Sequence, residues 1–188
     1  PGDPSKRSRP AADDNQMKEI LDLLKGAKQP VIISGTGIIW SDAAKELKDF
    51  VEASGIPFYT TPQSRGVIPE DHDYCYLTAR STAFREADVI LVLGTRMNYI
   101  IGHAAPPRFN GDAAVVRVDI DPGEIANSPR PLDVGVVADV QTVLKQLICA
   151  IKGTVTPETY ATWRERLRGR NSAKTEEAEK ILSNPSTP

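Results

Sequence analysis

Five short runs of apolar, largely β-branched residues, separated by stretches of helical periodicity, constrain this chain more than any other feature. They are Pro30-Val31-Ile32-Ile33-Ser34, Ile56-Pro57-Phe58-Tyr59-Thr60, residues 87–94, residues 114–120 and Val134-Gly135-Val136-Val137. A strand that is apolar on successive residues is covered on both faces, as parallel sheets require. Between the runs, Ala44, Leu47, Phe50 and Val51, and later Val143, Leu144, Leu147, Ile148 and Ile151, return at the spacing of one helix face. Strand and helix in alternation demand parallel pairing, with crossovers that are almost always right-handed. The expected fold is α/β: a Rossmann-like, doubly wound, mostly parallel sheet of five or six strands flanked by helices, with a C-terminal helical extension.

Boundaries follow from composition. Residues 1–14 hold three prolines and no hydrophobic period, so they read as a linker that cannot offset its ordering entropy from its own contacts. Met17, Ile20, Leu21 and Leu24 then mark a helix with Asp14 or Asn15 as its cap and Gly26 as its stop. Ser41-Asp42 is placed to cap the next helix, which Gly55 closes, and Asp139 opens a last one that ends at Gly153. The domain is expected over 15–153. Residues 154–188 form a helical extension carrying Trp163 and Leu167, followed by a polar, frayed tail from Thr175 to Leu182.

With 188 residues, 40% of them hydrophobic, one domain is the expectation. A net charge of −2 with interspersed signs gives nucleic acid or an anionic membrane no electrostatic hold, and no apolar run approaches the roughly 18 residues of a spanning helix. Cys75 and Cys149 show no metal or disulfide pattern, which suits a reducing compartment and small packed roles. The start at Pro1-Gly2-Asp3-Pro4, without methionine or signal core, is expected to be a cut within something longer.

Ligands of an open parallel sheet collect beyond the carboxyl ends of its strands. After the first strand come Gly35-Thr36-Gly37, either plain tight-turn glycines or a place where a ligand approaches the backbone. Trp40 stands where a dinucleotide fingerprint would need its third glycine. Arg96, in Gly94-Thr95-Arg96-Met97-Asn98, is placed to clamp a pyrophosphate or stack on adenine, or else to pair with a nearby carboxylate. Asp119 suits ribose hydroxyls, whereas Asp121 before Pro122 reads as a cap. Asp139 is an N-cap or a partner for an adenine amino group. His72 and His103 read as surface or turn residues, and Arg80, Arg85 and Arg108 as solvated charges within reach of an acidic ligand. No catalytic constellation is visible.

Four of these motifs in order carry a resemblance: residues 31–37, 61–72, 87–99 and Val118-Asp119-Ile120-Asp121-Pro122. Together they resemble the central domain of thiamine-diphosphate-dependent decarboxylases, synthases and lyases. Gly94-x-Arg96-Met97-Asn98-Tyr99 resembles the GxRLNW of oxalyl-CoA decarboxylases and 2-hydroxyacyl-CoA lyases more than the GxRFDD of acetolactate synthases; Pro106-Pro107-Arg108-Phe109, Asp73-Tyr74-Cys75 and Trp163-Arg164-Glu165 look the same way. Where the CoA-processing enzymes often show Gly-Lys-Gly, this chain has Gly35-Thr36-Gly37.

The resemblance implies that thiamine diphosphate and Mg²⁺ are held by N- and C-terminal domains outside this chain, since no GDG occurs in it. It implies a homo-oligomeric parent, cytoplasmic or peroxisomal, and for this domain ADP or the ADP part of CoA, with FAD in the acetolactate synthase branch. The nucleotide role falls on Gly35, Gly37, Arg96, Asp119, Ile120, Asp139 and Val140, with Arg80 for a CoA phosphate. The chain alone is expected to be inactive. Against this stand a self-standing nucleotide-binding module without catalysis and a scaffold whose pocket is vestigial.

Overall fold

A computed structural model describes residues 8–182. The five runs are five strands: β1 (Pro30–Ser34), β2 (Phe58–Thr60), β3 (Val89–Leu93), β4 (Ala114–Asp119) and β5 (Val134–Val137). All neighbours pair in parallel, in the order β2-β1-β3-β4-β5, with Ile32 opposite Phe58 on one side and Leu91 on the other. Every residue of β1 and β3 is buried, as their uninterrupted apolar pattern requires, and each fully covered Val, Ile or Leu contributes about 1.5–3 kcal/mol. The chain enters at β1, steps outward to β2, then returns past β1 to β3 and continues the other way. That reversal, between β1 and β3, is where such sheets bind ligands.

Seven helices surround the sheet among the described residues: α1 (Asp14–Gly26), α2 (Gly37–Trp40), α3 (Ala44–Ser54), α4 (Arg80–Glu86), α5 (Pro122–Ala126), α6 (Val140–Ala150) and α7 (Ala161–Leu182). α6 packs on both α1 and α3, while α4 packs on α7, as right-handed crossovers running in opposite directions from β1 place them. Among the described residues no helix is long and apolar enough to cross a membrane.

Several local assignments shift. The cap of α1 is Asp13, not Asp14 or Asn15, because Gln16 completes a reciprocal capping box with it. Ser41-Asp42 does not cap α3, whose N-cap is Ala43 without a side-chain bond; Ser41 bonds elsewhere and Asp42 sits at φ 53. Gly55 closes α3 in the left-handed region as expected. α6 ends at Ala150, with Gly153 at φ 72 in the turn beyond it.

The C-terminal extension is docked rather than merely appended. Tyr160 donates to Leu24 O at 2.6 Å, Trp163 Nε1 to Pro30 O at 3.1 Å, and Arg164 Nη1 to Gly55 O and Pro157 O at 2.8 and 2.7 Å. Thr175 does not begin a frayed tail: its hydroxyl donates to Asn171 O and the helix continues to Leu182. At the other end, residues 1–7 of the expected linker lie outside the described residues. Residues 8–13 lack regular structure but are tied down, with Asp139 N donating to Pro10 O at 2.9 Å and Gln146 bonding both N and O of Ala12.

Candidate functional site

The turns after β1 and β3 meet at the switch point with no side chain between them. Gly37 N donates to Gly94 O at 2.8 Å, and a Cβ on Gly37 would lie 2.6 Å from Gly94 Cα. Gly94 has a φ of 58, which a side chain rarely adopts. Gly35 is buried under Thr95, where a Cβ would stand 2.3 Å from Thr95 Cβ. The glycines therefore allow the two turns to approach closely, and Gly37 and Gly94 also line open space.

That space is a cleft of about 780 Å³, within the range of small-molecule sites. Gly37, Gly94 and Arg96 line it at the switch point, Asp119, Ile120 and Glu124 after β4, and Asp139 and Val140 after β5. Trp40 and Tyr99 add large aromatic side chains that are 87% and 79% exposed. Six of the eight nominated residues are thus brought together. Arg80 is not among them. It stands at the start of α4, which follows the edge strand β2, and the groups that feel its charge are Tyr59, Cys75 and Arg108.

Acidic groups outnumber cations along the cleft. Asp119, Asp121, Glu124 and Asp139 line it, with Arg9 and Arg96 as the cations among the described residues. The Arg96 side chain is 77% exposed, and its Nε lies 3.5 Å from Glu124 Oε1. Burial holds the Asp119 carboxyl above the usual carboxylate range, although Asp121 N and Arg117 pull the other way. Asp121 accepts from Gly123 N at 2.8 Å and caps α5 as expected.

Asp139 is the most heavily bonded of the nominated residues. Its oxygens accept from Thr142 N at 3.1 Å and Thr142 Oγ1 at 3.2 Å, from Ser41 Oγ at 2.7 Å and from Arg9 Nη1 at 3.3 Å. Burial alone would raise its pKa, but the bonds from Ser41, Thr142 and Arg9 outweigh it and hold the carboxyl below the usual range. This is the N-cap role, extended to two other parts of the chain.

Arg9, Glu124 and Arg117 escape the sequence reading, and Ser41 enters it only as a helix cap. Arg117, inside β4 and 0% exposed, had a visible signal: a cation in a strand covered on both faces must be paired. Arg9 had none, since a lone arginine in a proline-rich segment says nothing of where it folds back. His103 is an exposed turn residue whose Nδ1 lies 3.0 Å from Met97 O, and His72 packs edge-on between Phe58 and Tyr74. Cys75 is half-buried, but Cys149 is exposed rather than packed, on the outer side of α6.

Among the described residues no group of three or more His, Cys, Asp or Glu is arranged to hold a metal ion. The model of the thiamine pyrophosphate enzyme central domain matches residues 17–147. Human 2-hydroxyacyl-CoA lyase 1 is 36% identical over 174 residues, 90% of this chain and 30% of that protein. Escherichia coli oxalyl-CoA decarboxylase is 32% identical over 167 residues, covering 89% and 28%, and acetolactate synthase of Mycobacterium bovis 32% over 163, covering 82% and 26%. The chain spans under a third of the length of each. A thiamin diphosphate-dependent enzyme from Mycobacterium smegmatis superposes with a TM-score of 0.64 at 21% identity, over 80% of this chain and 31% of that one.

Proposed function

The chain belongs to the family of thiamine pyrophosphate enzyme central domains, and from that premise we propose that residues 15–153 bind ADP, or the ADP part of CoA, within a longer 2-hydroxyacyl-CoA lyase or oxalyl-CoA decarboxylase. One observation carries the reading. The cleft lies at the reversal of strand order and offers a carboxylate in Asp119, an exposed guanidinium in Arg96 and bare backbone at Gly37. Ile120 and Val140 supply apolar walls, and Gly35 supports the floor by packing under Thr95. Arg80 would meet a CoA phosphate only outside this cleft. Asp139 holds the wall together and leaves little acceptor capacity for an adenine amino group.

The parent would cleave a carbon-carbon bond with thiamine diphosphate and Mg²⁺ held by its other domains, and its subunits would associate. This chain alone, mixed with both cofactors and a 2-hydroxyacyl-CoA, is then expected to release neither aldehyde nor formyl-CoA. Titration calorimetry with ADP, CoA, FAD and NAD tests the nucleotide reading. ADP or CoA should bind most tightly. Tighter binding of FAD would move the parent to the acetolactate synthase branch, and no binding by any of the four would leave a scaffold with a vestigial pocket.

A further inference from the structure

Beneath the cleft lies a charge that a ligand there would not touch. Arg117 is wholly buried in β4. Its Nη1 donates to the backbone oxygen of Glu124, and its Nη2 donates to Glu124 Oε2 at 2.5 Å. The same Nη2 reaches Thr95 O at 3.4 Å and stands 3.9 Å from Asp119 Oδ2, while Nε has no partner among the described residues. The other oxygen of Glu124, Oε1, faces Arg96 Nε at 3.5 Å. A single carboxylate is therefore divided between a guanidinium sealed in the sheet and one exposed in the cleft.

The two halves of that division are unequal. A buried guanidinium deprived of its anion is strongly destabilising, and Arg117 holds Glu124 from below through the Glu124 backbone oxygen and one carboxylate oxygen. The pair to Arg96 is long and in solvent, where such contacts are weak and labile. An un-neutralised Glu124 in the cleft wall would do the opposite, holding Arg96 to itself and repelling an incoming phosphate. Arg117 also bonds the carbonyl of Thr95, the residue immediately before Arg96, and so fixes the backbone from which Arg96 projects.

We propose that Arg117 is a positioning residue for anion binding: it neutralises Glu124 from within the sheet and leaves Arg96 available to a diphosphate in the cleft. The inference rests on the nucleotide reading above and names the residue behind its phosphate contact.

Titration calorimetry of the 188-residue chain with ADP and with adenosine tests it, because a structural defect weakens both ligands whereas loss of the phosphate contact weakens only ADP. Glu124→Gln keeps an oxygen for Arg117 and removes the competing charge. It should tighten ADP by about threefold, the scale of an exposed ion pair, with adenosine unchanged. Arg117→Met should weaken ADP by about tenfold or more with adenosine unchanged. Since each single change leaves one charge of the pair alone, the double variant Arg117→Met/Glu124→Gln, which removes both, decides if either fails to fold: it should bind ADP at least as tightly as wild type, and weaker binding overturns the proposal. A wild-type chain that binds ADP while Glu124→Gln binds it no more tightly overturns the proposal, as does equal loss of both ligands in Arg117→Met. A wild-type chain that binds neither compound overturns the nucleotide reading itself, and the proposal with it.

Discussion

Ser41 Oγ donates to Asp139 Oδ2 at 2.7 Å, joining the turn after β1 to the first turn of α6 across 98 residues of sequence. The bond takes Ser41 from the cap its local sequence suggests and adds a partner to Asp139 in the N-cap role that its own sequence suggests. Ser41 is withdrawn from capping α3, and Asp139 has its lone pairs engaged before any ligand arrives.

Asp139→Ala should therefore cost about 1–2 kcal/mol of stability, the upper part of the N-cap range, and change ADP affinity little. Its pH dependence has a definite sign. The folded carboxyl titrates below its unfolded counterpart, which lies near about 3.9. Its contribution is therefore complete above that value and is lost as pH falls through the folded one. Thermal melts of wild type and variant should differ at neutral pH and converge in acid. A gap that persists at low pH would refute this account of the residue.

Arg96→Ala should lower ADP affinity by about 1.5–3 kcal/mol, the range for a hydrogen bond to a charged group. The melting temperature of the ligand-free domain should hardly move, because the side chain is 77% exposed and its ion pair with Glu124 is 3.5 Å long. Calorimetry and a thermal melt on the same variant check both halves. Stability lost with affinity kept would mean that the Glu124 pair, not the ligand, is its purpose.

Asp119 is predicted to behave in the opposite sense to Asp139. Burial raises its pKa, so ionisation at neutral pH works against the fold; the penalty shrinks as pH falls through the folded value and is gone below the unfolded one. Asp119→Asn should raise the melting temperature of the free domain at pH 7 while weakening ADP by about tenfold, through loss of a charged acceptor for the ribose. A variant that is both less stable and equally tight would show the carboxylate to be structural.

Gly37→Ala should cost about 1–3 kcal/mol, since the new Cβ would meet Gly94 Cα at 2.6 Å and Gly94 O at 2.8 Å. Gly26→Ala is the matched control. No atom lies within 4 Å of its added Cβ, and alanine in place of glycine at a compatible site gains about 0.4–1 kcal/mol. Urea unfolding of the two variants should move the midpoint in opposite directions.

The strands were legible because burial on both faces leaves only one kind of residue to choose, as in Val31-Ile32-Ile33 and Val89-Ile90-Leu91. Asp119 and Arg96 were legible for a related reason: polar residues directly after such runs stand where the sheet opens. What local sequence could not supply was which distant group each would meet. Asp13 outcompeted Asp14 as a cap only because Gln16 answers it. Arg80 follows the edge strand, one strand removed from the reversal, and strand order is a property of the assembled sheet rather than of any segment. Arg117 was readable as a charge needing a partner, but not as Glu124's.

The tether formed by Pro10 and Arg9 redraws the limits of the folded unit. A boundary placed at the first helix would remove the acceptor of Asp139 N, strip Asp139 and Gln141 of their shared cation, and unseat the carbonyl of Ala12 from Gln146. The cleft would then lose part of its rim along with a segment that contributes no strand and no helix. An expression boundary chosen by secondary structure alone would trim away binding surface while leaving every regular element intact.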